Sequence, residues 1–243
     1  MKVRVIVPVL HSEALVGKAE EEYRACASPD VELSVVCVAN GTNSIESEYD
    51  MALAQPEVIR LAREAEAAGI DACTIACFGD PGGAGAKELV RIPVVGEGEA
   101  AMMFAGLLGS RFSVIITQRE IFPLVRRLVR GAQMEQRLAS IREVEAGVLD
   151  FSLDCLPRAI DQAVAAVRED EADVIVMGCT GTGVDMARLI EDGLMQRLGV
   201  YVPVIDPVKV TMKLAESLAQ LRLAHSKAAY PTPPSPRPEY RFA

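Results

Sequence analysis

Asp71-Ala-Cys-Thr-Ile-Ala-Cys77-Phe-Gly79 and Asp173-Val-Ile-Val-Met-Gly-Cys179-Thr-Gly181 are two short stretches of the same design. The aspartates are 102 residues apart (173 − 71), and so are the cysteines (179 − 77). In each copy an apolar run leads from Asp to Cys, and small, polar or Gly residues follow. Such a run is typical of a buried parallel strand that ends in a tight turn and presents a side chain at its carboxyl end. The repeat predicts a duplicated half-domain whose two thiols face each other across a cleft.

Strand-like and helix-like segments alternate in two successive series along the chain. The predicted strands are 3–9, 32–39, 72–77, 93–95, 112–117, 140–144, 174–179 and 202–205. The predicted helices are 14–27, 56–68, 83–90, 99–108, 122–131, 156–169, 183–197 and 208–223. The segment 41–48 is predicted to be a loop. This pattern predicts the α/β class, with two pseudo-symmetric, flavodoxin-like halves on parallel sheets and the active site between them.

Composition narrows the class of protein. The chain has 243 residues, half of them hydrophobic, which is enough for a sizeable core. A formal charge of −9 with scattered Lys and Arg argues against a nucleic-acid partner, which needs a concentrated basic face. The apolar run from Val5 to Leu10 is shorter than a signal-peptide core, and the other apolar runs have the length of strands. We therefore expect a cytoplasmic protein that acts on a small molecule, away from membranes, with its cysteines reduced.

The turns after the two repeated strands suit acid/base chemistry. A thiol followed by Gly and a helix start lies near unpaired N–H groups and a positive dipole end, which should lower its pKa. Cys77 and Cys179 both stand before such turns. One thiolate would remove a proton from one face of a carbon, and the opposite thiol would return a proton to the other face. The N–H groups would stabilise the enolate-like charge between the two steps. The pair favours a racemase or epimerase that needs no cofactor.

Other roles for the cysteines and histidines are less favoured. Free cysteine is usually buried for packing, which is our interpretation of the four others, Cys26, Cys37, Cys73 and Cys155. No Cys-x-x-Cys occurs, and His11 and His225 are the chain's imidazoles, so no metal site and no thioredoxin-like pair are predicted. His11 is expected in a surface turn near the cleft. No lysine stands at a strand end beside a phosphate cradle, which disfavours pyridoxal phosphate.

Five segments resemble a known family. They are Ser44-Ile-Glu-Ser-Glu-Tyr-Asp50, Ala76-Cys-Phe-Gly-Asp-Pro-Gly82, Phe112-Ser-Val-Ile-Ile-Thr117, Gly178-Cys-Thr-Gly181 and Pro203-Val-Ile-Asp206. Together they are similar to the aspartate/glutamate racemase superfamily, and within it to the hydantoin and allantoin racemase branch. The resemblance extends to about residue 231. It implies two pseudo-symmetric α/β halves, Cys77 and Cys179 as acid/base residues, and no cofactor.

The resemblance also implies the substrate pocket and the domain division. The implied pocket residues are Pro8, Ser44, Phe78, Gly79, Thr117, Thr180 and Gly181. The implied first half is 1–97 together with the returning C-terminal segment 207–230, and the second half is 98–206. The proline-rich tail 231–243 is expected to be flexible or to pack on a neighbouring subunit, and a homo-oligomer is expected because small α/β enzymes commonly form one.

One departure from the branch bears on the substrate. Hydantoin and allantoin racemases usually have Asn-Pro-Asn-Thr after the first strand, whereas this chain has Val7-Pro8-Val9-Leu10. Gln118 and Thr182 also replace a Thr and a Met that are common there. The leading hypothesis is therefore a racemase acting next to a carbonyl, with a hydantoin-like substrate. A related isomerase or decarboxylase that depends on one thiol, or a ligand-binding protein without turnover, is the alternative.

Overall fold

The computed structural model describes residues 1–180, 182–183 and 185–234 of the chain. Its first unit alternates four strands and three helices. They are β1 (Lys2–Leu10), α1 (Glu13–Cys26), β2 (Glu32–Val38), α2 (Glu48–Ala67), β3 (Ala72–Ile75), α3 (Gly83–Leu89) and β4 (Val94–Gly96).

The second unit repeats the alternation, and a last helix follows it. These elements are α4 (Glu97–Leu108), β5 (Phe112–Ile116), α5 (Phe122–Gly131), β6 (Leu138–Glu143), α6 (Leu156–Glu169), β7 (Val174–Met177), α7 (Met186–Leu198), β8 (Val204–Ile205) and α8 (Pro207–Gln220). Within the described residues, no helix is long and apolar enough to cross a bilayer.

Each unit contains one four-stranded parallel sheet. The strand order is β2-β1-β3-β4 in the first and β6-β5-β7-β8 in the second, so β3 and β7 hold equivalent positions. Helices cover the sheets, which explains why β3, β5 and β7 are buried along their whole length. The predicted α/β class with two pseudo-symmetric parallel-sheet halves is confirmed.

The α2 helix begins earlier than predicted. We expected a helix from residue 56, with proline at its start, but α2 begins at Glu48 and contains Pro56 in its interior. The reason is a strong N-terminal cap: the Ser47 hydroxyl accepts from the Asp50 N–H (3.2 Å), and the Asp50 carboxylate accepts from the Ser47 hydroxyl (2.7 Å). This cap starts the helix upstream, and the missing N–H of the proline removes one hydrogen bond without ending it.

The C-terminal helix returns to the first unit. α8 packs against α1, β3, β4 and the neighbouring α4. Beyond it, the backbone N–H of Val94 donates to His225 Nε2 (2.9 Å), and the Lys227 ammonium donates to the carbonyl of Val90 (2.8 Å). We therefore propose that 207–230 belongs to the same unit as 1–97. Residues 231–234 have no regular secondary structure, and the rest of the proline-rich tail lies outside the described residues. The homo-oligomer stays a prediction.

Candidate active site

The two repeated cysteines lie just beyond equivalent strands. β3 ends at Ile75 and β7 at Met177, so both strands end two residues earlier than predicted. At the first site the chain turns at once, because the Cys77 N–H donates to the Ile75 carbonyl (2.9 Å). At the second, the Gly178 N–H still donates to the Ile115 carbonyl (2.7 Å) before Cys179 follows. The sheets thus place each thiol in the turn after the strand.

Both thiols line one cleft between the two units, with a volume of about 130 Å³. Five other predicted pocket residues line it with them: Pro8, Ser44, Phe78, Gly79 and Thr180. The Ser44 hydroxyl donates to the Glu46 carboxylate (2.6 Å). The predicted Gly181 lies outside the described residues.

Thr117 is the predicted pocket residue that the structure places elsewhere. It follows β5 directly, its side chain has no exposed surface, and it is not among the residues that line the cleft. Its carbonyl accepts from the Ala146 N–H (3.0 Å), which holds the chain after β6 alongside it. That chain continues to Val148 and Leu149, which line the cleft on this side in place of Thr117.

Most of the remaining lining is apolar. It consists of Val7, Val9, Leu15, Ala19, Ile45, Ala76, Ile121, Leu124, Val148, Leu149 and Gly178, with Lys18, Glu22 and Asn43 as polar members. The contribution of α1 was not predicted, although Leu15, Lys18, Ala19 and Glu22 have the spacing of one helix face. No comparable pattern marks the residues that α5 and the loop after β6 contribute.

The pKa of both thiols differs from the sequence-based expectation. Burial, above all, raises the pKa of Cys77, and the Gly79 N–H opposes this rise. Burial and then the Glu97 carboxylate raise the pKa of Cys179 to about 12, while Lys18 opposes them. The predicted lowering of the pKa was wrong because burial is the dominant effect, and because α3 and α7 begin only at Gly83 and Met186, several residues after each thiol. A helix dipole acts mainly within its first turn. In this structure the pKa of both thiols therefore lies above the ordinary value for cysteine.

A buried carboxylate connects the units beside the cleft. Glu97 has no exposed surface; it accepts from the Tyr23 hydroxyl (2.7 Å) and from the Thr180 hydroxyl. Burial raises the pKa of Glu97 well above its ordinary value, although both hydroxyl groups oppose the rise. The contact fixes Thr180, which follows Cys179, against the start of α4. The role of Glu97 was not predicted, because nothing in its local sequence marks it as buried.

The loop after Cys77 is fixed to the same helix. The Asp80 carboxylate accepts from the N–H groups of Gly98 (3.0 Å) and Glu99 (2.8 Å), so it caps α4. Burial raises the pKa of Asp80 to about 7, against these two hydrogen bonds. The loop and the helix are in close contact, because a Cβ on Gly98 would lie 2.2 Å from the Phe78 carbonyl oxygen. The start of α4 therefore positions residues beside both thiols.

The described part of the chain contains no group of three or more His, Cys, Asp or Glu side chains that could hold a metal ion. The cleft holds the two thiols within a mostly apolar lining. Glu22 is the carboxyl residue of its lining, and the buried carboxyl groups of Asp80 and Glu97 lie next to the turns that follow the two thiols.

Comparisons with known proteins agree with this fold and show the family. The family profile described as Asp/Glu/Hydantoin racemase matches residues 6–215. The hydantoin racemase of Pseudomonas sp. (strain NS671) is 38% identical over 232 residues, covering 93% of this chain and 89% of that protein. The hydantoin racemase of Paenarthrobacter aurescens is 38% identical over 236 residues, covering 94% and 95%. The solved structure of allantoin racemase from Klebsiella pneumoniae superposes with a TM-score of 0.88 at 33% identity, covering 100% and 97%.

Proposed function

The chain is a racemase of the Asp/Glu/hydantoin racemase family, and from that premise we propose that Cys77 and Cys179 are its acid/base pair. The observation that carries the proposal is that both side chains line one cleft, each in the turn after the equivalent strand of its unit. Two proton-transfer groups on opposite sides of one carbon are what inversion requires.

The proposed reaction transfers one proton off the substrate and one onto it. The thiolate of one cysteine takes the hydrogen from a carbon next to a carbonyl, and the C–H electron pair moves into an enolate. The second cysteine then gives its thiol proton to the opposite face of the same carbon and becomes the thiolate. The configuration is inverted, no electrons are gained or lost, and the next turnover can run in the reverse direction.

The substrate we propose is a hydantoin-like ring with an apolar substituent. The names of the relatives support the choice of a hydantoin-like ring, since hydantoin and allantoin contain the same five-membered cyclic ureide. The lining of the cleft supports the choice of an apolar substituent, because Val7, Val9 and Leu124 offer apolar surface to a group that projects from the ring. A polar ureido substituent would lose its hydration there without gaining partners.

The test is hydrogen exchange and inversion of single enantiomers of 5-benzylhydantoin in deuterated water, followed by proton NMR and chiral chromatography. Wild type should exchange and invert both enantiomers faster than the enzyme-free solution. Cys77→Ser and Cys179→Ser should each lose inversion. Any exchange that remains should affect one enantiomer in the first variant and the opposite one in the second, because each retains a thiol on one face.

Cys37→Ser is the matched control, since Cys37 is a partly buried thiol that does not line the cleft. It should exchange and invert the substrate like wild type. Full inversion by either cleft variant would contradict the two-thiol mechanism. Damage confined to one of the two, with loss of a carboxyl group or a change of double-bond geometry in a suitable substrate, would instead indicate decarboxylation or isomerisation.

A further inference from the structure

Cys179 lies between two residues that are each fixed to another part of the fold. Before it, the Gly178 N–H donates to the Ile115 carbonyl (2.7 Å), which fixes the turn to the second sheet. After it, the Thr180 hydroxyl donates to the carboxyl group of Glu97, the first residue of α4. The first contact continues the sheet, whereas the second is a contact between two side chains far apart in the sequence.

The thiol itself contacts the second of these residues. Cys179 Sγ donates to the carbonyl oxygen of Thr180 (3.2 Å), so the residue that accepts the thiol hydrogen is the one that Glu97 holds. Cys179 and Thr180 both line the cleft, whereas Glu97 has no exposed surface. Glu97 thus reaches the cleft through Thr180 and not by its own contact with a substrate.

The turn at Cys77 is held in a different way. The Cys77 N–H donates to the Ile75 carbonyl (2.9 Å), and the Cys77 carbonyl accepts from the Asp80 N–H (3.0 Å), so backbone hydrogen bonds close this turn. The hydrogen bonds of the Glu97 carboxyl group go instead to α1 and to Thr180. Loss of the Glu97 side chain should therefore disturb the position of one thiol more than that of the other.

We propose that Glu97 is a positioning residue for the proton transfer at Cys179. Its carboxyl group holds Thr180 in place, and Thr180 in turn keeps Sγ of Cys179 directed at one face of the substrate carbon. The inference rests on the proposed function, since it takes Cys179 to be one of the acid/base pair. A displacement of about 1 Å at a reacting group can cost about a hundredfold in rate, so loss of this contact should be visible in the kinetics.

The measurement is α-proton exchange of each enantiomer of 5-benzylhydantoin in deuterated water, corrected for the enzyme-free rate. Each enantiomer presents its hydrogen to one thiol, and the one whose exchange is lost in Cys179→Ser is the one that faces Cys179. Exchange of that enantiomer depends on Cys179 from its first step, whereas the other can exchange through Cys77 alone. Because two enantiomers have equal free energy in solution, inversion must slow equally in both directions and cannot separate the two faces.

The variants change the contact from both ends. Glu97→Leu and Thr180→Val each remove it, whereas Glu97→Gln and Thr180→Ser each keep a group that can pair. The first two should shift the ratio of the two exchange rates about tenfold, in the same direction as Cys179→Ser, and the conservative pair should stay within about twofold of wild type. Combining Glu97→Leu with Thr180→Val should shift the ratio no further than either change alone, because both remove one contact.

Tyr23→Phe is the matched control. The Tyr23 hydroxyl donates to the other oxygen of the Glu97 carboxyl group (2.7 Å), and Tyr23 is fully buried. Its replacement removes one hydrogen bond from Glu97 and leaves the contact with Thr180. The melting temperature should fall while the ratio of exchange rates stays within about twofold of wild type. If Glu97→Leu does not fold, Thr180→Val at its half-buried position tests the same contact.

Several outcomes would overturn the inference. A wild-type ratio in Thr180→Val, or an equal loss of exchange for both enantiomers, would show that the contact does not act on Cys179 in particular. A shift in Tyr23→Phe as large as that in Glu97→Leu would show that the ratio reports on the packing of α1. Additive effects in the double variant would show that Glu97 acts by a route other than Thr180.

The cysteine variants separate this inference from the proposed function. If Cys77→Ser and Cys179→Ser lose inversion as expected while the ratio does not move in Glu97→Leu, the role of Glu97 alone fails. If both cysteine variants still invert the substrate, or if wild type exchanges neither enantiomer, the two-thiol mechanism fails and the role of Glu97 fails with it.

Discussion

The hydroxyl of Thr180 donates a hydrogen bond to the buried carboxyl group of Glu97, which links the turn after one thiol to the first residue of α4. Tyr23 of α1 donates to the other oxygen of the same group (2.7 Å). Three elements that surround the cleft thus meet at one titratable side chain, and the protonation state of that side chain should affect the stability of the whole site.

Glu97→Gln should change how stability depends on pH. The pKa of Glu97 is raised in the folded protein, so its contribution is fully present below its unfolded pKa and is lost as pH rises through the folded pKa. Glutamine cannot ionise, and its amide still pairs with both hydroxyl groups. From pH 5 to pH 8, the free energy of unfolding of the variant should therefore rise relative to that of wild type, as measured by urea denaturation.

Glu216→Gln is the control, because the pKa of Glu216 is shifted in the opposite direction to that of Glu97. Burial alone would raise the pKa of Glu216, but hydrogen bonds from Ser28 and the Lys213 ammonium hold it below its ordinary value. Its contribution is present above its unfolded pKa and is lost as pH falls, so this variant should lose most stability relative to wild type near neutral pH. Parallel pH dependence of the two variants would contradict the opposite pKa directions.

The rate of α-proton exchange should rise with pH well into the alkaline range. In the proposed mechanism the base is a thiolate, and burial together with Glu97 raises the pKa of the Cys179 thiol to about 12. Below that pKa the thiolate fraction grows about tenfold per pH unit. We expect kcat/KM for 5-benzylhydantoin exchange to increase from pH 7 to pH 10, after correction for the enzyme-free rate. A plateau that begins below pH 8 would show that the working thiol has a lower pKa.

Gly98→Ala should damage both stability and activity. The added Cβ would lie 2.2 Å from the Phe78 carbonyl oxygen and 2.3 Å from Leu128 Cδ2, so the loop after Cys77 must shift. Overpacking of this kind costs about 1–3 kcal/mol of unfolding free energy. The shift should also lower kcat for inversion, since it moves Phe78 and its neighbour Cys77.

The matched control is Gly17→Ala in α1, where the added Cβ has open space within 4 Å. Replacing glycine by alanine in a helix interior stabilises by about 0.5–1 kcal/mol. Thermal melts and inversion rates of the two variants, measured side by side, separate the steric effect from the generic effect of removing a glycine. A stable and active Gly98→Ala protein would contradict the close packing at α4.

Asparagine at positions 7 and 9 should change substrate preference. Val7 and Val9 line the cleft and are buried, with 6% and 9% of their surface exposed. Amide groups there would face the substrate and would have to be satisfied by it. In the double variant, the ratio of kcat/KM for 5-benzylhydantoin to that for allantoin should fall by about tenfold or more. Leu10→Thr, at a position that does not line the cleft, should leave the ratio unchanged.

The sequence could predict that the two cysteines line one cleft, because the pattern that places them, an apolar run followed by a turn, is local and repeated. Each lies at the end of an apolar run that predicts a buried parallel strand. Side chains that follow such strands collect at the carboxyl edge of their sheet, and in this chain these edges of the two sheets border one cleft. The start of α2 was missed since the capping by Ser47 outweighs the proline signal downstream. The pKa direction of the thiols was also wrong, because burial depends on the facing unit and no single segment encodes it.

The polar residues around the thiols were the hardest to predict. Glu97 and Glu22 are buried glutamates in a chain rich in exposed ones. Nothing distinguishes them until α1, α4 and the turn after β7 are packed together. The resemblance placed Thr117 in the pocket, but in the structure the loop after β6 lines the cleft in its place. The path of that loop depends on tertiary packing, which the local sequence does not show.

The return of α8 to the first sheet has a consequence for the order of assembly during synthesis. The strands and helices that build the second sheet are contiguous in the chain, so they can pair as soon as β8 has emerged from the ribosome. The first sheet, although its strands are made earlier, keeps part of β3 and β4 uncovered until α8 is complete, because that helix packs on these two strands. The first unit is thus completed after the second, because its last helix follows β8 in the chain.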